Sequence, residues 1–288
     1  MRRLLLLMFA ALVLGGACQT PPDSARFVEP PRDAAHPARM EVLHIPSGGV
    51  EINGVAYLAS GEGAHPTLVI CHGWPGNEKN LDLAQAVRRA GWNAVTFNFR
   101  GSWGSPGEFH FAQVPEDAAA VIAWLRKPEV AAKFGVVPAR IALAGHSMGG
   151  WATSQVASRD PALIGAVLIS AADMARLATL PRPARVRAAA ENTETLVTTP
   201  EAMADELAGA VATMILKETA LGLAKVPVLI LSSDDGLAPG TDALAAAIRA
   251  EGGKVQMAHQ TTDHSWSDRR LTLAGLVIDW LKALPGPN

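Results

Sequence analysis

Cysteine, tyrosine and excess charge are what this 288-residue chain has little of: two cysteines, one tyrosine and a formal net charge of −2. Cys18 and Cys71 can build neither a zinc-ligand spacing nor a disulfide framework. Basic and acidic residues nearly balance, 25 against 27, and no basic cluster stands out, which disfavours nucleic acid as a partner. The apolar run Leu4–Leu14 falls short of the ~20 residues that cross a bilayer. Charged residues make up only 18% of the chain and hydrophobic ones 49%, which suits one α/β domain with a sizeable core.

The first residues read as a processed segment. Met1-Arg2-Arg3 is a short cationic stretch, Leu4–Leu14 an apolar one, and Gly15-Gly16-Ala17 a small-residue cleavage site. The stretch Leu14-Gly15-Gly16-Ala17-Cys18 resembles a bacterial lipoprotein signal, with Gly15 where that pattern carries a larger aliphatic residue. The resemblance implies a signal peptide over 1–17, a lipid on Cys18, and an exported, periplasmic protein anchored to an envelope membrane. Simple cleavage after Ala17 is the alternative. Residues 18–39 carry Pro21, Pro22, Pro30, Pro31 and Pro37 without apolar periodicity and read as a linker, lipid-anchored or flexible.

From residue 40 to 286 the pattern is that of one α/β domain. Glu41–Ile45 and Val50–Leu58 alternate like a hairpin around Ser47-Gly48-Gly49. Thr67–Cys71, Ala94–Phe99, Ile141–Ala144, Ile164–Ser170, Pro227–Ser232 and Lys254–Ala258 read as strands. Helical patterns cover Leu81–Ala90, Pro115–Leu125 and Trp266–Leu284, and another follows Ile141–Ala144. The alternation predicts a mostly parallel central sheet flanked by helices. Cys71 is expected as a buried thiol. The stretch 172–223 breaks the rhythm: it is long, Ala-rich and helix-prone, interrupted by Pro181, Pro183 and Pro200.

One stretch carries chemistry. Ile141–Ala144 runs into Gly145-His146-Ser147-Met148-Gly149, and a helical pattern follows. A Gly-x-Ser-x-Gly between strand and helix forces the serine into a strained turn, and glycines let the two elements close around it. His72-Gly73 leaves an earlier strand, an acid follows a later one, and a histidine follows the last. On Gly145–Gly150 (GHSMGG) and Cys71–Gly76 (CHGWPG), the chain resembles α/β-hydrolases of the serine hydrolase type over residues 40–284, with an esterase or prolyl-oligopeptidase-like character.

The resemblance implies an α/β-hydrolase fold in which 172–223 forms a helical cap over the substrate pocket; a helical insertion that merely covers the sheet edge is the plainer reading. It implies Ser147 as nucleophile and His264 as base, preferred over His259, which lies close to the end of the last strand. The acid falls in Ser233-Asp234-Asp235-Gly236, where the family register selects Asp235 over Asp234. The oxyanion donors fall on the N–H groups of Met148 and Trp74, whose side chains line a pocket or pack in the core. Arg100 is expected to brace loops, His146 to pack beneath the turn, and Phe109, His110 and Phe111 to offer a pocket wall. His44 and His65 carry no supporting context.

The leading function is cleavage of a small-molecule carboxylic ester through an acyl-enzyme, with no metal and no organic cofactor. A serine peptidase of prolyl-oligopeptidase type acting on short peptides is the second reading; it is weakened because a propeller domain has no room before residue 40. A non-catalytic binding protein on a hydrolase scaffold is the third.

Overall fold

The computed structural model describes residues 25–285, so Cys18 and the expected signal 1–17 lie outside the described residues. The sheet opens with β1 (Arg39–Ser47) and β2 (Val50–Leu58), joined by Gly48-Gly49. Both glycines have positive φ, 56° and 85°, which is the backbone a two-residue hairpin turn demands. The remaining strands are β3 (His65–Cys71), β4 (Asn93–Phe97), β5 (Val136–His146), β6 (Gly165–Ile169), β7 (Val228–Ser233) and β8 (Val255–Gln260). Their order across the sheet is β1-β2-β4-β3-β5-β6-β7-β8. The pairs β1·β2 and β2·β4 are antiparallel and the other five are parallel.

Eleven helices cover the faces among the described residues: α1 (Leu81–Arg89), α2 (Gln113–Leu125), α3 (Pro128–Phe134), α4 (Met148–Ala157), α5 (Met174–Ala178), α6 (Arg182–Ala190), α7 (Pro200–Gly209), α8 (Val211–Met214), α9 (Ala220–Leu223), α10 (Ala238–Ala250) and α11 (Arg270–Ala283). Strands β4, β6 and β7 are buried along their whole length because helices lie on both faces. One core layer joins the sheet to α2, α4 and the 172–223 insertion through Val121, Ile122, Trp151, Met203 and Leu207. The other joins it to α1 and α11 through Leu83, Val87, Leu273, Val277 and Leu281.

Three elements differ from the sequence reading. Helix α3 is a single short piece closed by Gly135 in the left-handed conformation, φ 60°. Helix α10, where the sequence reading placed no element, begins at Ala238-Pro239-Gly240; proline in a first helical turn loses no hydrogen bond. The last helix begins at Arg270 rather than Trp266, because a turn fixed by Asp263 takes up the intervening residues. Trp266 N–H donates to the Asp263 carbonyl at 3.0 Å, and Ser267 N–H to the Asp263 carboxylate at 2.8 Å.

Residues 25–29 are tied to α1 of the domain. Arg89 donates to the carbonyls of Ala25 and Arg26 at 2.7 and 2.9 Å, and Arg88 pairs with Glu29 at 2.8 Å. The 172–223 insertion is tied to the loop after β4. Trp103 N–H donates to Thr195 at 2.9 Å, Val197 N–H to Gly101 at 2.7 Å, and Phe109 N–H to Val197 at 3.0 Å.

Candidate active site

Ser147 stands between β5 and α4 with φ 57° and ψ −119°, a conformation that non-glycine residues adopt only where their surroundings enforce it. Its own backbone is held on every side. Its N–H donates to Ile169 at 3.0 Å, and its carbonyl accepts from Gly150, Trp151 and Ala172 at 2.9, 3.2 and 3.0 Å. Serine at a helix N-cap ordinarily turns its hydroxyl onto the helix's first N–H groups. Here no side-chain cap forms, so the hydroxyl is not tied to the helix it precedes.

The flanking glycines are required by space. A Cβ on Gly145 would lie 2.0 Å from the Gly149 carbonyl oxygen, and one on Gly149 would lie 2.3 Å from the Cys71 carbonyl oxygen. Both obstacles are backbone, which cannot swing aside. This close approach brings the loop His72-Gly73-Trp74 onto the elbow: a Cβ on Gly73 would sit 3.0 Å from that of Ser147.

Asp235 and His264 meet beside the elbow. Asp235 leaves the end of β7 and His264 follows β8. His264 Nδ1 and Asp235 Oδ2 are 2.7 Å apart, with the carboxylate 5% and the imidazole 40% exposed. The His264 carbonyl bonds His146 Nε2 at 2.8 Å, and the two rings lie 4.6 Å apart at their centroids, which sets His264 against the neighbour of Ser147. Among the described residues no hydrogen bond joins Ser147 Oγ to the His264 ring, and such bonds are often long before substrate binds. The alternative pair forms apart from this one. His259 Nε2 bonds Asp234 Oδ1 at 2.9 Å, with both side chains about half exposed, 50% and 52%.

The other singled-out residues divide between core and brace. Met148 is 1% exposed and its side chain is core, while its N–H opens α4, where first-turn N–H groups lack helical acceptors. The Trp74 ring packs edge-on against Phe111 at 5.2 Å. Phe109 and Phe111 are themselves buried, so they support that ring from behind and do not form an exposed wall. His110 faces Glu206 at 3.5 Å. Arg100 braces the loop after β4: its N–H and Nε donate to buried Asp117 at 2.8 and 2.6 Å. Cys71 is fully buried, which pushes its thiol up to about 12 and leaves it inert at neutral pH.

Three buried residues that the sequence reading left without a role lie behind the acid. Ser170 Oγ and Ser233 Oγ are 2.8 Å apart, and Trp266 Nε1 donates to Ser170 Oγ at 3.1 Å.

Burial alone would raise the Asp235 carboxyl. Hydrogen bonds from His264, the Leu237 N–H and Ser233 outweigh it and hold the group down at about 2. His72 and His146 move to about 4, first because burial penalises the cation, then through nearby positive charge from Lys79 and His264 respectively. Both rings are thus neutral in the fold near neutral pH. Their unfolded value is near 6.5, so the unfolded chain takes up protons first as pH falls. Stability should therefore be full above pH 6.5 and drop progressively toward pH 4, read as a falling urea midpoint at constant m-value. A midpoint flat through that window would contradict the neutral state of these two rings.

A cavity of about 590 Å³ lies between α2, α4 and α8, lined by Ile122, Trp151, Gln155 and Met214 among others. Its lining on α4 begins at Trp151 and does not include Ser147. Among the described residues no group of three His, Cys, Asp or Glu side chains could hold a metal, and no helix is long and apolar enough to cross a membrane.

A sequence model described as the alpha/beta hydrolase family matches residues 68–282, about three-quarters of the chain. The chain belongs to the alpha/beta hydrolase family. The sheet order and the elbow are those of the α/β-hydrolase fold that the GHSMGG and CHGWPG stretches implied. Over 121 residues this hydrolase is 29% identical to an uncharacterized protein of Mycobacterium tuberculosis, a match covering 42% of this chain and 41% of that protein. Over 101 residues it is 35% identical to a 31.7 kDa protein of Escherichia coli, covering 33% of this chain and 34% of that one. The matches thus span less than half the length of these relatives.

Solved structures share the fold. An esterase of Pyrobaculum calidifontis superposes with a TM-score of 0.66 at 20% identity, over 86% of this chain and 87% of that one. A thermophilic carboxylesterase cloned from a metagenomic library gives 0.65 at 22% identity, over 92% and 93%. An acylaminoacyl peptidase of Pyrococcus horikoshii gives 0.65 at 15% identity, over 87% of this chain and 43% of that one.

Proposed function

We propose that the protein is a serine hydrolase that cleaves carboxylic esters of small molecules through an acyl-enzyme. The observation that carries this reading is the Asp235–His264 hydrogen bond, set against the residue that precedes an uncapped, strained serine. Ser147 Oγ attacks the ester carbonyl while His264 Nε2 takes its proton. Asp235 holds the imidazole in the tautomer with the proton on Nδ1 and stabilises the imidazolium as it forms. The N–H groups of Met148 and Trp74 receive the oxyanion; one such donor is worth roughly 10²–10³ in rate. The intermediate collapses, and His264 returns the proton to the departing alcohol. Water, deprotonated by the same imidazole, then releases the acid and restores the serine. The residues named supply every proton transfer, so the cycle calls on neither a metal nor an organic cofactor.

The esterase and carboxylesterase among the similar structures agree with this reading, and the peptidase among them keeps amide cleavage as the competing activity. The 172–223 insertion, bonded to the loop after β4, would act as the cap over the acyl pocket. A panel of p-nitrophenyl esters of rising acyl length, with a peptide amide as control, tests the assignment. Ester turnover well above amide turnover is expected. Preferential amide cleavage would transfer the protein to the peptidases, and no turnover of either would leave a binding role.

We further propose that the mature chain begins at a lipidated Cys18 in a bacterial envelope. The support is the Leu14–Cys18 pattern in the sequence. Mass spectrometry of the membrane fraction should find diacylglyceryl on Cys18; an unmodified N-terminus at that residue would make the enzyme a free exported one.

A further inference from the structure

The turn that carries His264 leaves no carbonyl idle from Thr262 to Trp266. Thr262 accepts from the Asp234 N–H at 3.1 Å, Asp263 from the Trp266 N–H at 3.0 Å, and Trp266 from the Arg269 N–H at 2.9 Å. The two carbonyls between them are filled by side chains. That of His264 accepts from His146 Nε2 at 2.8 Å, and that of Ser265 from Arg270 Nη1 at 2.9 Å. His146 belongs to the elbow itself. Arg270 opens α11, and the rest of its guanidinium is bound to the start of α1, 188 residues earlier in the chain. Its Nε donates to Asp82 Oδ2 at 2.8 Å, and its Nη2 donates to Asp82 Oδ1 and, at 3.0 Å, to Asn80 Oδ1. We infer that Arg270 is a positioning residue of the triad: its guanidinium pins the turn that carries His264 to the first turn of α1, and so holds the imidazole where Ser147 and Asp235 need it. This rests on the triad reading given above.

The helix that Arg270 opens does not itself call for it. The dipole of a helix disfavours a cation in the first turn, and the first turn of α11 carries no acid to offset one. What holds the residue is its set of bonds. Two N–H groups meet the two oxygens of one carboxylate, and a further N–H of the same rigid plane meets the Ser265 carbonyl. A lysine ammonium, a point charge on a flexible stem, cannot copy that fork. Burial alone would lower the guanidinium's affinity for its proton; the bonds and charges of Asp82 and Glu78 outweigh it and raise the group, so the fork stays charged. The anchoring end is itself fixed. Asn80 is fully buried, in the left-handed conformation with φ 57°, and its N–H is accepted by Glu78.

The imidazole depends on this support. Its ring is 40% exposed and bonds Asp235 on one side, so its place on the other side is set by the backbone beneath it. That backbone is gripped at residue 264 from the elbow and at residue 265 from α1. Trp266, next in the chain, holds a positive φ of 59°, a conformation that relaxes once its surroundings stop enforcing it. Releasing the Ser265 carbonyl therefore lets the turn shift, and a base displaced by about 1 Å can cost on the order of 10² in rate. The anchor has a second consequence. Glu78–Asp82 close the segment that leaves β3 with Trp74, the proposed oxyanion donor, so the base and the oxyanion loop are referred to one guanidinium. Arg270 acts through the main chain and touches neither the substrate nor the reacting atoms.

The experiment uses the full-length protein and the best ester of the panel. In Arg270→Ala, kcat per folded molecule should fall by about ten- to a hundredfold while KM stays within about twofold, because the base moves and the pocket does not. Ethylguanidinium chloride at millimolar concentration should restore part of that loss in Arg270→Ala and leave the native protein unaffected; ethylammonium, with the same charge and no fork, should not. Asp82→Ala should lower kcat to a lesser degree, and the double variant should match Arg270→Ala alone, since Asp82 acts only through the arginine. A lower urea midpoint with kcat per folded molecule unchanged would make the arginine merely structural and overturn the inference. Rescue by ethylammonium as complete as by ethylguanidinium, or effects that multiply in the double variant, would overturn it too. Should the native protein hydrolyse neither ester nor amide, the triad reading fails, and the ring proton resonances of His264, assigned by their loss in His264→Gln, decide the positioning without turnover. They should shift in Arg270→Ala and return with ethylguanidinium; resonances left in place overturn it. Asp82 is half exposed, so Asp82→Ala carries the same kcat-against-KM and resonance tests if Arg270→Ala does not fold.

Discussion

Replacing Ser147 by alanine is expected to abolish labelling by a fluorophosphonate probe and to lower kcat/KM on esters by something on the order of 10⁶, the scale on which a hydrolytic serine is lost. The argument is local. The hydroxyl caps no helix, so its removal takes away the proposed nucleophile and no capping bond. The backbone bonds to Ile169 and from Gly150, Trp151 and Ala172 all use main-chain atoms and survive the change. Alanine must take the same positive φ of 57° that serine takes, so the strain is nearly unchanged. The urea midpoint should therefore stay close to that of the native protein while activity disappears. Labelling that persists in the variant, on a folded protein, would remove Ser147 from the mechanism. A variant that unfolds would show instead that the hydroxyl is structural.

The elbow was legible in the sequence because its constraints are local. Gly145 and Gly149 must lack a Cβ, the serine must sit between them, and strand and helix must follow at short range. The central strands were legible for a similar reason: burial on both faces demands unbroken apolar runs such as Thr67–Cys71. What the sequence left hidden was non-local or masked by residue type. The insertion of β4 between β2 and β3 depends on pairings that no local pattern encodes. Helix α10 was hidden because Pro239 and Gly240, which ordinarily signal turns, sit in its first turn. Trp266 looked like the first residue of a helix, but it is the buried anchor of the histidine turn, paired with a serine 96 residues earlier in the chain. The Ser170–Ser233 contact likewise spans 63 residues, and serine is too common at strand ends to mark itself. The acid's register was legible only to within two neighbouring aspartates, and geometry separates them: Asp235 faces His264, and Asp234 faces His259.

That separation gives the second large effect. Asp235→Asn should lower kcat on the order of 10³–10⁴, whereas Asp234→Asn should leave it within about twofold. An asparagine at 235 can point its amide N–H₂ at His264 Nδ1, which favours the tautomer carrying its proton on Nε2. That nitrogen then cannot accept from Ser147, and the imidazolium loses its counter-charge. The carboxylate is nearly buried at 5% exposure, so solvent supplies little in its place. Its native pKa near 2 means that Asp235 stays ionised from mildly acid to neutral pH. His72 and His146, held near 4, do not titrate close to neutrality. In Asp234→Asn the change falls on an exposed contact with His259, and contacts so exposed to solvent contribute little. Steady-state kinetics of the two variants across pH distinguish the assignments. Should Asp234→Asn prove the damaging change and Asp235→Asn the mild one, the working acid would be the exposed neighbour, and the base would have to be His259.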